Sequence, residues 1–224
     1  MEHEPGAGKA GEQLSGLDGV HGKKGGLRVS SFFEKMQETV EKTMYRAVSD
    51  FPSCLEKVSE KLSDMKEEKM EKLKEDNPNF PYDEKGELLP DIRYESEGYR
   101  YQTDGKGRIV KAEGTLRLEN GIRDENAQRR VGGEDRLPGD QGGHLIGRQF
   151  GGSGGLDNLA AMKGELNQGE YKKLEMDLRK ALENGQTVDL TVTSRFRGDS
   201  KRPSAFVATC SIDGERTKKV FDNT

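Results

Sequence analysis

The chain has 224 residues, a formal net charge of −4, 30% hydrophobic and 35% charged residues, and 29 glycines. One core of ordinary domain size is the most this composition builds, so tight packing from end to end is excluded. Cys54 and Cys210 stand far apart, which excludes a disulfide framework and a CxxC zinc site.

Residues 1–28 carry Gly6, Gly8, Gly11, Gly16, Gly19, Gly22, Gly25 and Gly26 among few aliphatic side chains. That is too little apolar surface to offset the entropy of ordering, and a flexible arm is expected. The opening Met1-Glu2-His3-Glu4-Pro5 has no basic n-region, and no segment has the apolar length of a membrane span. A soluble chain is expected, cytoplasmic or exported without a cleavable signal peptide. From Ser30 or Ser31, either of which suits a helix cap, Phe33, Met36, Val40, Met44 and Val48 recur at helical spacing. After Pro52 a second stripe follows in Leu55, Val58, Leu62 and Met65, until Pro78 and Pro81 end it. Two amphipathic helices arranged as a hairpin are therefore expected over residues 29–78. Their apolar stripe suits packing on the chain itself or an interaction surface, and the charge run Lys66–Glu75 suits a solvated face.

Residues 79–97 read as a linker. The period then changes: Tyr99 and Tyr101, a Thr103–Gly107 turn, then Ile109, Val110, Leu116 and Leu118 give strand, turn, strand. A helix is expected from about Gly169 to Glu183, ended by Gly185, followed by strands over Val188–Ser194 and Ala205–Ile212 and a short final strand after Asp213-Gly214. The expectation is an α+β domain over residues 98–224. From Gln128 to Thr224 there are 16 Lys and Arg against 14 Asp and Glu, a balance of +2, leaving 21 against 27, or −6, upstream. The acidity therefore lies ahead of the segment that carries the candidate chemistry.

That segment begins at Asp140-Gln141-Gly142-Gly143-His144-Leu145-Ile146-Gly147-Arg148. It continues through Asp157-Asn158-Leu159, Glu165-Leu166-Asn167-Gln168-Gly169, Tyr171, Leu174-Glu175 and the Arg202-Pro203-Ser204 turn. A lone histidine is normally uninformative, and a glutamate and arginine at i,i+4, such as Glu175 and Arg179, are most plainly a surface ion pair. In this order and spacing, however, the run from about Tyr99 to Asn223 resembles the DNA/RNA non-specific endonucleases of the ββα-metal (His-Me finger) superfamily. The likeness is to the branch found at the C-termini of bacterial polymorphic toxins.

The resemblance implies a ββα-metal nuclease domain with an antiparallel sheet, hydrolysing phosphodiester bonds of DNA and RNA and preceded here by the amphipathic helical segment. It implies that His144, ending a strand, is the general base, a role a neutral imidazole suits. Asn167 would ligate one divalent cation, and its hard oxygen suits Mg2+ or Mn2+. Glu175 would orient a water at the metal and Arg179 would grip phosphate. Asn158 and Asp140 would be scaffold. The family's Asp-Arg-Gly-His is one residue longer here and lacks its arginine, which leaves Arg148 and Arg136 as substitutes in substrate binding. Gly143, with Gly142, would give the backbone room to approach phosphate or to bend into the strand. The implied biology is a toxin domain with a cognate immunity protein and no membrane partner. The competing reading is a catalytically silent nucleic-acid or protein-binding module on the same fold.

Overall fold

A computed structural model describes residues 26–224, and the Gly-rich arm expected over 1–28 lies, apart from its last three residues, outside the described residues. The chain divides at Ser63–Asp64 into two units, and Asp64–Thr224 holds every described strand. The expected hairpin is a single helix, α1 (Gly26–Asp76), which begins ahead of the two candidate cap serines and runs through Pro52. One internal proline removes a single backbone hydrogen bond, at about 3 kcal/mol, and the Glu- and Lys-rich stretches on either side of it, residues 34–42 and 56–75, are good helix formers. Phe51, Leu55, Val58 and Leu62 remain more than half exposed, so this stripe is not packed as a core face. No helix among the described residues is long and apolar enough to cross a membrane.

Residues 79–97 are not a linker. Phe80, Leu88 and Leu89 pack against the main core, as do Met70 and Leu73 from the last turns of α1. The Tyr82 hydroxyl donates to Asp157 Oδ1 (3.0 Å), and the Tyr94 hydroxyl donates to the Asp157 carbonyl (2.7 Å). Strand β1 (Arg93–Ser96) precedes the expected pair, β2 (Tyr99–Thr103) and β3 (Ile109–Thr115). With β6 (Val188–Arg195), β7 (Ala205–Ile212) and β8 (Glu215–Asp222) they form an antiparallel sheet ordered β1-β2-β3-β6-β7-β8. Period-2 alternation sends Tyr99, Tyr101, Ala112, Leu190, Val192, Phe206, Ala208 and Phe221 to one buried face.

A short helix, α2 (Glu125–Arg130), leads into a second sheet, the antiparallel pair β4 (Asp140–His144) and β5 (Leu159–Lys163). The chain then enters a continuous helical run: α3 (Gly164–Leu166), a π-helical turn over Asn167–Tyr171, and α4 (Lys172–Glu183). Strand, strand and helix in this order form the ββα unit. Tyr171, buried in the π turn, donates its hydroxyl to the Leu145 carbonyl (2.8 Å), fixing the helix beside the residue that follows His144. The fold class expected from sequence, α+β with an antiparallel sheet and a ββα unit, is the one observed.

Candidate active site

His144 ends β4, paired with Leu159, and lies on the floor of a cleft of about 800 Å³. Its Nε2 is sealed from solvent without a hydrogen-bond partner, which leaves Nδ1 as the ring nitrogen that meets the cleft. Burial lowers its pKa to about 4, with the positive charges of Arg123 and Arg148 adding to the effect. At neutral pH the imidazole is therefore an uncharged base.

The cleft wall opposite is the helical run. Asn167 opens the π turn and donates from Nδ2 to Gln141 Oε1 (2.8 Å), which leaves its Oδ1 as the available oxygen. π turns inside α-helices are frequent at functional sites, because the extra residue re-aims the side chains beside it. Glu175 sits in the first turn of α4, just beyond the π turn, and burial raises its pKa to about 7 against the pull of Lys172. No cation among the described residues pairs with it. Gly147 makes room for this carboxylate: a Cβ there would stand 2.5 Å from Glu175 Oε1. The glycine of the His-Leu-Ile-Gly run thus works by letting a partly buried acid lie on the backbone.

Asn158 and Asp140 shape the site from behind. Asn158 is fully buried; its Oδ1 accepts from Ile146 N (2.9 Å), and its Nδ2 donates to the carbonyls of Ile146 (2.9 Å) and Ser153 (2.8 Å). It thereby ties the Gly-rich loop to the strand end that carries His144. Asp140 accepts from Arg202 Nε (2.7 Å) and Nη2 (2.9 Å) inside the protein. Burial works to raise its pKa, but the bonds from Arg202 outweigh that and hold it below the usual carboxylate value. Arg202 also donates to the Asn223 carbonyl, so the Arg-Pro-Ser turn links the β4–β5 pair to the end of β8.

Other sequence candidates are placed differently. Arg148 lines the cleft. Arg136 also borders it, but its Nη1 donates to the carbonyls of Gln128 (2.5 Å) and Arg129 (3.1 Å) and its Nη2 to that of Asp140 (2.6 Å). Three of its five N–H groups are thereby taken by backbone carbonyls, two at the end of α2, where carbonyls lack helical partners, and one on β4. Gly143 faces the core, where a Cβ would meet the Met162 side chain at 2.9 Å, and so offers no approach to phosphate. Arg179 is not part of the cleft lining: its Nε pairs with Glu183 (2.8 Å), while its Nη1 donates to Gln149 Oε1 (3.4 Å), a residue that does line the cleft, so it sits at the cleft's edge. Sequence reasoning passed over Arg123, Gln128, Gln141, Gln149 and Lys172, all of which line the cleft. Only Gln141 had a signal, standing where the family motif carries arginine.

The model of the DNA/RNA non-specific endonuclease family matches residues 90–214, which include the whole ββα unit and the cleft. The chain belongs to this family. It is 39% identical over 158 residues to the type VII secretion system protein EssD of Staphylococcus aureus strain USA300, and likewise to the EssD proteins of strains NCTC 8325 / PS 47 and Newman. The match covers 63% of this chain and 26% of each relative, so the chain spans about a quarter of the proteins it matches. For a non-specific endonuclease, the distribution of charge over the cleft is informative. Arg123, Arg129, Arg136, Arg148 and Lys172 outnumber Glu125 and Glu175 along its walls, although the chain as a whole is acidic. Local placement supplies what the net charge of −4 hides.

Proposed function

We propose that this endonuclease hydrolyses phosphodiester bonds of both DNA and RNA, with little regard to base sequence, in a reaction that requires Mg2+ or Mn2+. The observation that carries this reading is His144, held neutral on the floor of a cationic cleft with Asn167 and Glu175 on the facing wall. With its proton on Nε2, the imidazole offers the Nδ1 lone pair to a water in the cleft and takes a proton as that water attacks phosphorus. A phosphate arriving between Arg123 and Arg148 offsets the charges that depress His144, so the base strengthens as substrate binds.

The residues fit a hard divalent cation. Among the described residues no three His, Cys, Asp or Glu side chains form a cage, but Asn167 has a free amide oxygen and Glu175 is a partly buried carboxylate without an ion-pair partner. Asn167 would hold the ion with water and phosphate completing the shell, an arrangement that suits Mg2+ or Mn2+ better than Zn2+. When bound, the ion supplies positive charge to the scissile phosphate and leaving oxygen. Glu175 orients the attacking water, and Arg148 draws the strand in. None of these groups reads base edges or needs a 2′-hydroxyl nucleophile.

The likeness to type VII secretion system proteins supports a toxic domain of a bacterial effector, neutralised by a cognate immunity protein. Incubating supercoiled plasmid and a mixed-sequence RNA with the protein and Mg2+ or Mn2+ should degrade both, and EDTA should stop it. His144→Ala should cut turnover by about 10²–10⁴-fold with binding and melting temperature retained. Strand binding without any cleavage would identify a silent module instead, and wild-type turnover by the alanine variant would remove His144 from the mechanism.

A further inference from the structure

Two of the five basic residues along the cleft are spent on the protein: Arg136 on backbone carbonyls, and Arg129 on Asn126 (2.6 Å) and Glu125 (3.6 Å). Arg123 is different. Its Nε and Nη2 both donate to Gln128 Oε1 (3.0 and 2.7 Å), an uncharged acceptor that fixes the guanidinium without neutralising it. Its Nη1 edge is left free, and an arginine fork held in one orientation loses little entropy when it takes up a phosphate.

The backbone beneath Arg123 is fixed as well. Glu119 N donates to the Gln149 carbonyl (3.2 Å) and Gly121 N to that of Arg148 (2.8 Å), so this segment runs beside the residues that follow His144. On its other side is the Gly-rich loop, where a Cβ on Gly154 would collide with the Ile122 carbonyl and stand 2.9 Å from Asp124 N. Gln128 is pressed equally closely onto β4, since a Cβ on Gly142 would lie 2.7 Å from Gln128 Cα. Asp124 caps α2 through the N–H groups of Asn126 (2.8 Å) and Ala127 (3.0 Å). The glycines at 142 and 154 therefore serve close packing around Arg123.

We infer that Arg123 binds a phosphate of the nucleic-acid strand, supplying from the approach to α2 the arginine that the histidine motif lacks, with Gln128 and Gly154 as positioning residues. This rests on the reading of the cleft as a nuclease site. Binding of a fluorescein-labelled mixed-sequence DNA duplex to the full chain, followed by anisotropy in EDTA over a series of salt concentrations, tests it without cleavage. Arg123→Gln should weaken binding about tenfold and reduce the slope of log K against log salt by about one. Gln128→Leu, which frees the guanidinium but keeps its charge, should weaken binding less and leave the slope unchanged. Arg216→Gln, on exposed β8 away from the cleft, should change neither. If Arg123→Gln melts early, Arg123→Lys replaces it, with the slope kept and affinity lowered. Wild-type affinity and slope in both Arg123 variants would overturn the inference even if plasmid is cut. Loss of binding in them, in a protein that never cuts plasmid, would leave the phosphate site standing and sink the nuclease reading.

Discussion

Glu175 and His144 are partly buried side chains whose pKa values move in opposite directions, and the difference is measurable without substrate. Burial raises Glu175 from 4.5 to about 7, so the folded state binds that proton more tightly than the unfolded chain does. The resulting stability is fully present below about pH 4.5 and is lost as pH rises through 7. Glu175→Gln, permanently neutral, should match the metal-free wild type at pH 5 and melt at a higher temperature by pH 8. Addition of Mg2+ at pH 8 should raise the wild-type melting temperature by more than that of the variant, which keeps Asn167 but lacks the carboxylate charge that the ion offsets. A gap that does not change with pH would show that the carboxyl does not ionise in the cleft. His144 runs the other way: with its pKa lowered from 6.5 to about 4, its contribution is present above pH 6.5 and is lost as pH falls through 4.

At the scale of elements, the ββα unit is tied to the large sheet by a buried charge pair, beside the buried Asn223 side chain, which accepts from Lys163 N (2.8 Å) and donates to the Ala161 carbonyl (3.0 Å). Asp140 at the start of β4 and Arg202 before β7 meet through two hydrogen bonds, with side chains 2% and 9% exposed. Removing one partner strands the other charge in the interior, which costs about 3–5 kcal/mol. Asp140→Ala should therefore lower the denaturant midpoint strongly, whereas the double variant Asp140→Leu, Arg202→Met should recover much of the loss. If the single change leaves stability unaltered, the pair does not hold β4 in place. In the large sheet β2 and β6 were legible because they alternate between a core face and a solvent face, whereas β1, four residues inside the expected linker, was not. Strand β5 was not, because Leu159, Ala160, Ala161 and Met162 are all buried and show no alternation. α2, with six residues, is too short to display a helical period. The catalytic candidates His144, Asn167 and Glu175 were legible through the order of their motifs. Arg123 was not, since its place in the cleft depends on a chain crossing between residues 121 and 148 that local sequence does not encode. Arg136 looked like a phosphate ligand because it lies near the motif in sequence, but its side chain turns toward the carbonyls of α2.

For the whole molecule, the question is how much chain the nuclease needs. Proline and a change of period place the start of the domain near residue 98, but the family match begins at 90 and the structural unit at Asp64. The difference has a physical cause. Met70 and Leu73, half-hidden on the last turns of α1, and Phe80, Leu88 and Leu89 after them, cover apolar side chains of the main core. Tyr82 additionally bonds to Asp157, the neighbour of the scaffold residue Asn158. Deleting residues 1–63 removes none of these contacts, so the remaining protein should keep its cooperative melt and its nuclease activity. Deleting residues 1–89 exposes that apolar surface and leaves the Asp157 carboxylate without its tyrosine partner. Uncovering several large hydrophobic side chains at about 25 cal/mol per Å² amounts to several kcal/mol, comparable with the whole stability of a domain this size. The shorter protein should aggregate or melt well below the longer one, and its plasmid-nicking activity should fall with its folded fraction. Equal melting temperatures for the two truncations would show that residues 64–89 lie on the nuclease without supporting it.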